Sequence, residues 1–326
     1  MKENVKIQSR PLVISSSPHI LADTGIPQIM RNVIWALLPA SFTAVYLFGL
    51  RALILIVICV SFSILTEFLF NIGRKKPVSL KDGSAVITGL LLALTLPPAF
   101  PPWAAAIGAI AAISLGKQVF GGLGYNIFNP ALVGRAFLQA AFPVLITTWS
   151  APRPFGAGTL DAITTATPLA VMKFQHQLTP NLKLFLGNVS GSLGETSVLA
   201  LLIGAAFLFY KRIIGWRIPV AYLGTVVIVG GFFWLIMPEK CADPLFHLLS
   251  GGLILGAFFM ATDMVTTPVT PTGRLVFGAG AGVLLVLIRN FGGLTEGVMY
   301  SILLMNGLTP LIDQYTRPKI FGSRTK

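Results

Sequence analysis

Long apolar runs almost free of charge decide what this chain can fold into. From residue 32 to residue 313 the sequence reads as ten such segments, roughly 32–49, 52–72, 84–97, 103–119, 131–148, 195–211, 218–237, 247–263, 275–289 and 297–313. Most are close to the ~20 residues that a helix needs to cross a hydrocarbon core. Within that core no water can satisfy a backbone N–H or C=O, and a helix satisfies its own. Charged residues make up only 11% of the chain, against roughly 25% in soluble domains. The expectation is an all-α polytopic membrane protein.

The formal charge of +13 does not point to nucleic acid, because the basic residues are spread between the apolar segments and form no patch. They orient the chain instead. With the N-terminus placed in the cytoplasm, eighteen Lys and Arg fall on the cytoplasmic side and six outside: Arg51, Arg153, Lys173, Lys183, Lys240 and Arg289. That asymmetry is the positive-inside pattern. It puts residues 1–31 and 314–326 in the cytoplasm and the one long connection, 149–194, outside. Two cysteines are too few for an iron–sulfur cluster, which takes about four thiolates. His19, His176 and His247 have no metal-ligand spacing.

The chain also repeats. At an offset of 171 residues Thr95 meets Thr266, Pro97 meets Pro268, and "FGGL" at 120–123 meets "FGGL" at 291–294. Each half, 32–148 and 195–313, then holds five segments, and an odd number inverts the second half relative to the first. The third segment ends in Pro97-Pro98, followed by Pro101-Pro102. The eighth runs into "ATDMVTTPVTPTGR" (261–274). Interrupted segments in corresponding places of two inverted halves flank sites near the midplane in many transporters. The expectation is therefore ten helices in two inverted repeats, with the third and eighth broken. Gly278, Gly280 and Gly282 read as a small-residue packing face.

"LDAITTATPLA" (160–170) stands apart as a polar, threonine-rich stretch in the external connection. Threonine hydroxyls are weak nucleophiles without an adjacent base, and none is adjacent here. The stretch is either an acceptor for modification by another enzyme or a turn in which Asp161 caps a short helix and Pro168 stiffens it. Acids at membrane depth are the other candidates, since ionisable groups there are expensive. Asp263 lies beside Thr262, Thr266 and Thr267, a set of oxygens suited to a hard cation, or it pairs with Arg274. Asp82 precedes Gly83-Ser84 and suits a helix cap, and Asp313, Glu67 and Glu296 complete the set. Asn126, Asn129 and Arg135 flank the "GYNIFNPALVGR" bend, where they either bond the ring carbonyls of a ligand or satisfy backbone around Pro130.

"DAITTATPLA" resembles the flavinylation motif of the RnfD/NqrB family, the membrane subunits of Rnf and Na⁺-translocating quinone reductase complexes. Further blocks look like that family: "DGSAVITGLLLALTLPP" (82–98), "GLGYNIFNPALVGRAF" (122–137), "FMATDMVTTPVT" (259–270) and "GVMYSILLMNGLTPLID" (297–313). The short N-terminal extension and "SSSPHI" (15–20) are closer to RnfD. The resemblance implies FMN joined through its phosphate to Thr167, with Asp161 and Thr164 as motif residues. Thr165 stands where the motif more often has glycine. It also implies a second, non-covalent riboflavin and cation-uptake acids, for which Asp82, Asp263 and Asp313 are candidates with Thr266. The implied setting is the bacterial inner membrane, in an Rnf complex coupling ferredoxin and NAD⁺ to Na⁺ or H⁺ movement. Implied partners are the lipid bilayer, the C, G, E, A and B type subunits, and a flavin transferase for maturation. Two other readings compete: an NqrB-like quinone reductase subunit, and a channel or transporter without redox function.

Overall fold

The computed structural model describes residues 25–75, 80–152, 165–195, 197–239 and 241–318. Its regular structure is helical. The first part holds α1 (Ile26–Phe48), α2 (Leu50–Gly73), α3 (Ser84–Leu94), α4 (Pro102–Ile113, continued by a π turn over Ser114–Gln118), α5 (Pro130–Ala141) and α6 (Pro143–Ile146). Two short helices follow, α7 (Pro168–Gln175) and α8 (Asn181–Leu186). The last part holds α9 (Val198–Tyr210), α10 (Arg217–Ile236), α11 (Pro244–Leu249), α12 (Leu253–Leu255, continued by a π turn over Gly256–Met260), α13 (Pro271–Phe291) and α14 (Val298–Thr316).

Among the described residues four helices, α1, α2, α10 and α13, are long and apolar enough to cross a membrane. Their outer faces are apolar: Phe42, Leu69, Ile228 and Leu235 are all exposed. Water would oppose such a surface and lipid would not. The chain is a membrane protein.

Two segments read from sequence as single spans are divided. The run 131–148 is cut at Pro143, which has no N–H to give to the preceding turn and ends α5 at Ala141. The run 247–263 is cut at Ser250 and Gly251; Gly251 takes φ 66°, a left-handed conformation that suits glycine. After Leu94 the chain leaves the helix until Pro102, and after Met260 until Pro271.

Small residues set the helix contacts. α1 packs along α9, where a Cβ on Gly204 would overlap the carbonyl oxygen of Ala36. α10 packs along α13, where Cβ atoms on Gly278 and Gly282 would stand 2.7 Å from Ile218 O and 2.9 Å from Tyr222 O. Two of the three glycines read from sequence as one packing face, Gly278 and Gly282, thus form a backbone-to-backbone seam, whereas Gly280 faces the Met305 side chain on α14. α2 lies on α3 and α4, α4 on α5, and α13 on α14. The core they enclose includes Leu37, Leu92, Leu94, Phe277 and Tyr222, and the Tyr222 hydroxyl bonds Ser301 Oγ at 2.8 Å.

Candidate functional site

Two cavities lie back to back along α5. Pro130, at its start, lines the first, and Leu132, within the same turn, lines the second. α9 and the 252–264 stretch run from one to the other: Glu195 and Gly252 border the second, Leu208 and Thr262 the first.

The first cavity, about 790 Å³ with its mouth, is mostly apolar, with Ile87, Leu91, Phe258 and Phe259 in its wall. Its polar lining comes from Ser84, Thr88, Lys117, Asn126, Asn129, Thr262 and Asp263. Lys117 is 1% exposed, and its ammonium meets both Glu67 oxygens at 2.8 Å and Ser84 Oγ. Asp82 accepts from Ser84 N at 2.9 Å and from Ser84 Oγ at 2.7 Å; it stands one residue outside the α3 N-cap, which is Gly83 and not Asp82 as read from sequence, and through Ser84 it joins the buried ion pair. Asn129 caps α5 by accepting from Ala131 N and Leu132 N, and its amide donates to Met260 O. Asn126 donates to Phe128 O, while its Oδ1 has no partner among the described residues.

Asp263, Thr266 and Asp313 organise the non-helical stretch after Met260. Asp263 accepts from Val265 N and from Thr266 Oγ1, each at 3.4 Å. Thr266 O receives Asn306 Nδ2 and Thr309 Oγ1, and Asp313 accepts from Val269 N at 3.0 Å. Arg274 does not pair with Asp263; its Nε donates to Pro268 O.

The second cavity, about 650 Å³, is lined by Arg135, Gln139, Trp149, Glu195, Glu296 and Tyr300 among others. Arg135 therefore does not join Asn126 and Asn129, although all three flank one bend in sequence. Its guanidinium pairs with Glu296. Nη1 of Arg135 has no partner among the described residues.

A smaller cavity, about 320 Å³, adjoins the second and shares Glu195 and Glu296 with it; Thr167, Ser190, Gly191 and Gly251 also line it. Thr167 is buried and caps α7, its hydroxyl oxygen accepting from Ala170 N at 3.2 Å. The stretch before it is anchored: Thr165 N donates to Trp149 O at 3.0 Å, and the Thr165 and Ser190 hydroxyls are 2.6 Å apart. Lys173, in α7, donates to the carbonyls of Arg289, Gly292 and Leu294 at the end of α13. Partial burial pulls its pKa below the ordinary lysine value. Arg289 in turn donates to His247 O and Ser250 O. Asp161 and Thr164 lie outside the described residues. Glu195 and Trp149 were missed from sequence; the only signal was a lone carboxylate opening an apolar run.

The model of the NQR2, RnfD, RnfE family matches residues 13–322. The chain belongs to that family. Among its relatives, a Clostridium ljungdahlii protein, named as the D component of a proton-translocating ferredoxin:NAD(+) oxidoreductase complex, is 46% identical over 329 residues, covering 98% of each chain. An Acetobacterium woodii protein, named as the D component of a Na(+)-translocating ferredoxin:NAD(+) oxidoreductase complex, is 48% identical over 315 residues, covering 95% of each. The D component of an ion-translocating oxidoreductase complex from Halorhodospira halophila is 40% identical over 338 residues, covering 94% of each. Thr167 is the N-cap of α7. Its oxygen faces the N-terminus of α7, where N–H groups and the helix dipole favour negative charge.

Proposed function

We propose that this chain is the membrane-embedded D component of an Rnf-type complex. It would carry electrons between neighbouring subunits while the complex couples ferredoxin and NAD⁺ chemistry to H⁺ or Na⁺ movement. The observation that carries this reading is similarity over nearly the whole length to two proteins named as that component, at 46% and 48% identity. A plain transporter would not be expected to share it.

FMN is esterified through its phosphate to Thr167, with Asp161 and Thr164 completing the transferase's recognition sequence. The flavin supplies reversible one- and two-electron chemistry. Thr167 and the start of α7 hold its phosphate. A second, non-covalent riboflavin fits the first cavity, where Asn126 Oδ1 is free to accept and the walls are apolar. Asp263, Thr266, Asp313 and Asp82 offer oxygens along a cation path. Because Thr167 is buried, a flavin transferase must act while the 165–175 stretch is displaced.

The helices are two inverted five-span repeats, 32–148 and 195–313, with the third and eighth spans broken. Support comes from packing: at the offset of 171 residues the α2–α4 contact corresponds to α10–α13, and α4–α5 to α13–α14. The α1–α9 and α5–α14 contacts join corresponding helices. The protein sits in the bacterial inner membrane among the other Rnf subunits, with 1–31 and 314–326 cytoplasmic and 149–194 outside.

Co-expression with a flavin transferase, followed by a denaturing gel read for flavin fluorescence, tests the assignment. A fluorescent band that disappears in Thr167→Ala is expected. A dark band beside an active transferase would remove the covalent flavin and Thr167 as its attachment point.

A further inference from the structure

Arg135 is the most unusual polar group outside the first cavity. It is 5% exposed and one of its terminal nitrogens is bound to Glu296, yet Nη1 has no partner among the described residues. Burying a charged donor without an acceptor is costly. The cavity it lines has two aromatic residues in its wall, Trp149 and Tyr300.

That cavity adjoins the one at Thr167, since Glu195 and Glu296 border both. The backbone ties them as well, through the bond from Thr165 N to Trp149 O. Gly252 lets the Glu195 carboxylate lie against bare backbone at this boundary: a Cβ there would stand 2.6 Å from Glu195 Oε1.

We propose that the ring of the flavin carried by Thr167 seats in this second cavity between Trp149 and Tyr300, with Arg135 Nη1 donating to its N1–C2=O edge. This rests on Thr167 being the flavin's attachment point. The tether leads from the smaller cavity to the larger one, and the ring's carbonyl edge supplies the acceptor that the guanidinium lacks. Reduction of a flavin places negative charge on that same edge. A fixed cation there stabilises the reduced ring more than the oxidised one and raises its potential. Arg135 is thus a cofactor-binding residue that also sets the potential.

The test uses the full chain co-expressed with a flavin transferase and purified in detergent, with Thr167→Ala giving the baseline for any other flavin. Covalent flavin is scored first on a denaturing gel. In gel-positive samples, Arg135→Gln is expected to weaken the preference for the reduced ring at least tenfold, a downward shift of about 30 mV for a two-electron couple. Arg135→Lys should recover part of the shift. Trp149→Phe should brighten native flavin fluorescence, because the stacked indole quenches it. Flavinylated Arg135→Gln and Arg135→Lys titrating with the parent, and Trp149→Phe equally dim, would overturn the docking while leaving Thr167 as the attachment site. If neither arginine variant accumulates, the Trp149→Phe fluorescence decides alone. A dark gel band for the parent overturns both readings together.

Discussion

Each cavity contains one buried cation, and the two are treated differently. Lys117, beside the first, is saturated: two carboxylate oxygens of Glu67 and the hydroxyl of Ser84 take its three protons. Arg135, in the second, is bound on one nitrogen and bare on another. A saturated buried charge joins elements, here α2, α3 and the end of α4. An unsaturated one is held ready for something else. The difference argues that the buried cation at the first cavity holds the helices in register, whereas the one at the second keeps a donor open toward the cavity, where the proposed flavin ring would meet it.

The sharpest way to break that comparison is to remove each cation in turn. Lys117→Met leaves Glu67 charged at 1% exposure and should lower stability by about 3–5 kcal/mol, the usual penalty for stranding one member of a buried pair. Thermal unfolding in detergent reads it, and Lys117→Met combined with Glu67→Leu should recover most of the loss. Arg135→Met should fall well short of that, because its partner Glu296 keeps 19% of its side-chain surface exposed and can be hydrated. Equal losses would mean that Arg135 is as structural as Lys117.

A smaller effect tests the frame that holds both cavities. Gly204 lies where α9 meets α1, and an added Cβ would overlap the Ala36 carbonyl. Gly204→Ala should push the helices apart and lower stability by about 1–3 kcal/mol. Gly224→Ala on α10, where an added Cβ meets nothing within 4 Å, is the matched control and should be near neutral. Equal melting temperatures for the two variants would show that the α1–α9 contact is loose.

The all-helical, membrane-embedded class was legible in the sequence, because a hydrocarbon core admits apolar helices that satisfy their own backbone, and four described helices are long enough to cross it. Prolines at 97–98 and 268 fall where the chain is out of helix, but Pro143 and Gly251 went unread inside mostly apolar runs. Polar contacts were legible where they are local: Asn129 caps the helix it precedes. They were illegible where they are long-range: Arg135 meets Glu296 across 161 residues, and Lys117 meets Glu67 across 50. Neither pairing leaves a local pattern, and the spacing 126-129-135 even suggested a single site where the fold makes two. Glu195 reads as the polar end of a span until α12 brings Gly252 against it.

The smallest effect concerns Thr167 before any flavin is attached. Its hydroxyl caps α7 through Ala170 N, and loss of such a cap is worth about 1 kcal/mol. In protein made without a flavin transferase, Thr167→Ala should therefore raise amide exchange in α7 roughly fivefold, with α5 and α14 unchanged. Thr167→Ser keeps an oxygen in the same place and should exchange like the parent. The comparison separates two roles of one oxygen. As a cap it tightens α7 and shields the hydroxyl; as an acceptor of phosphate it has to leave that position and be reached. If Thr167→Ala leaves α7 exchange unaltered, the cap is too weak to hold the hydroxyl in, and the transferase meets an open segment. If exchange rises as expected, opening of α7 precedes modification, and variants that loosen α7 without touching Thr167 should be flavinylated faster.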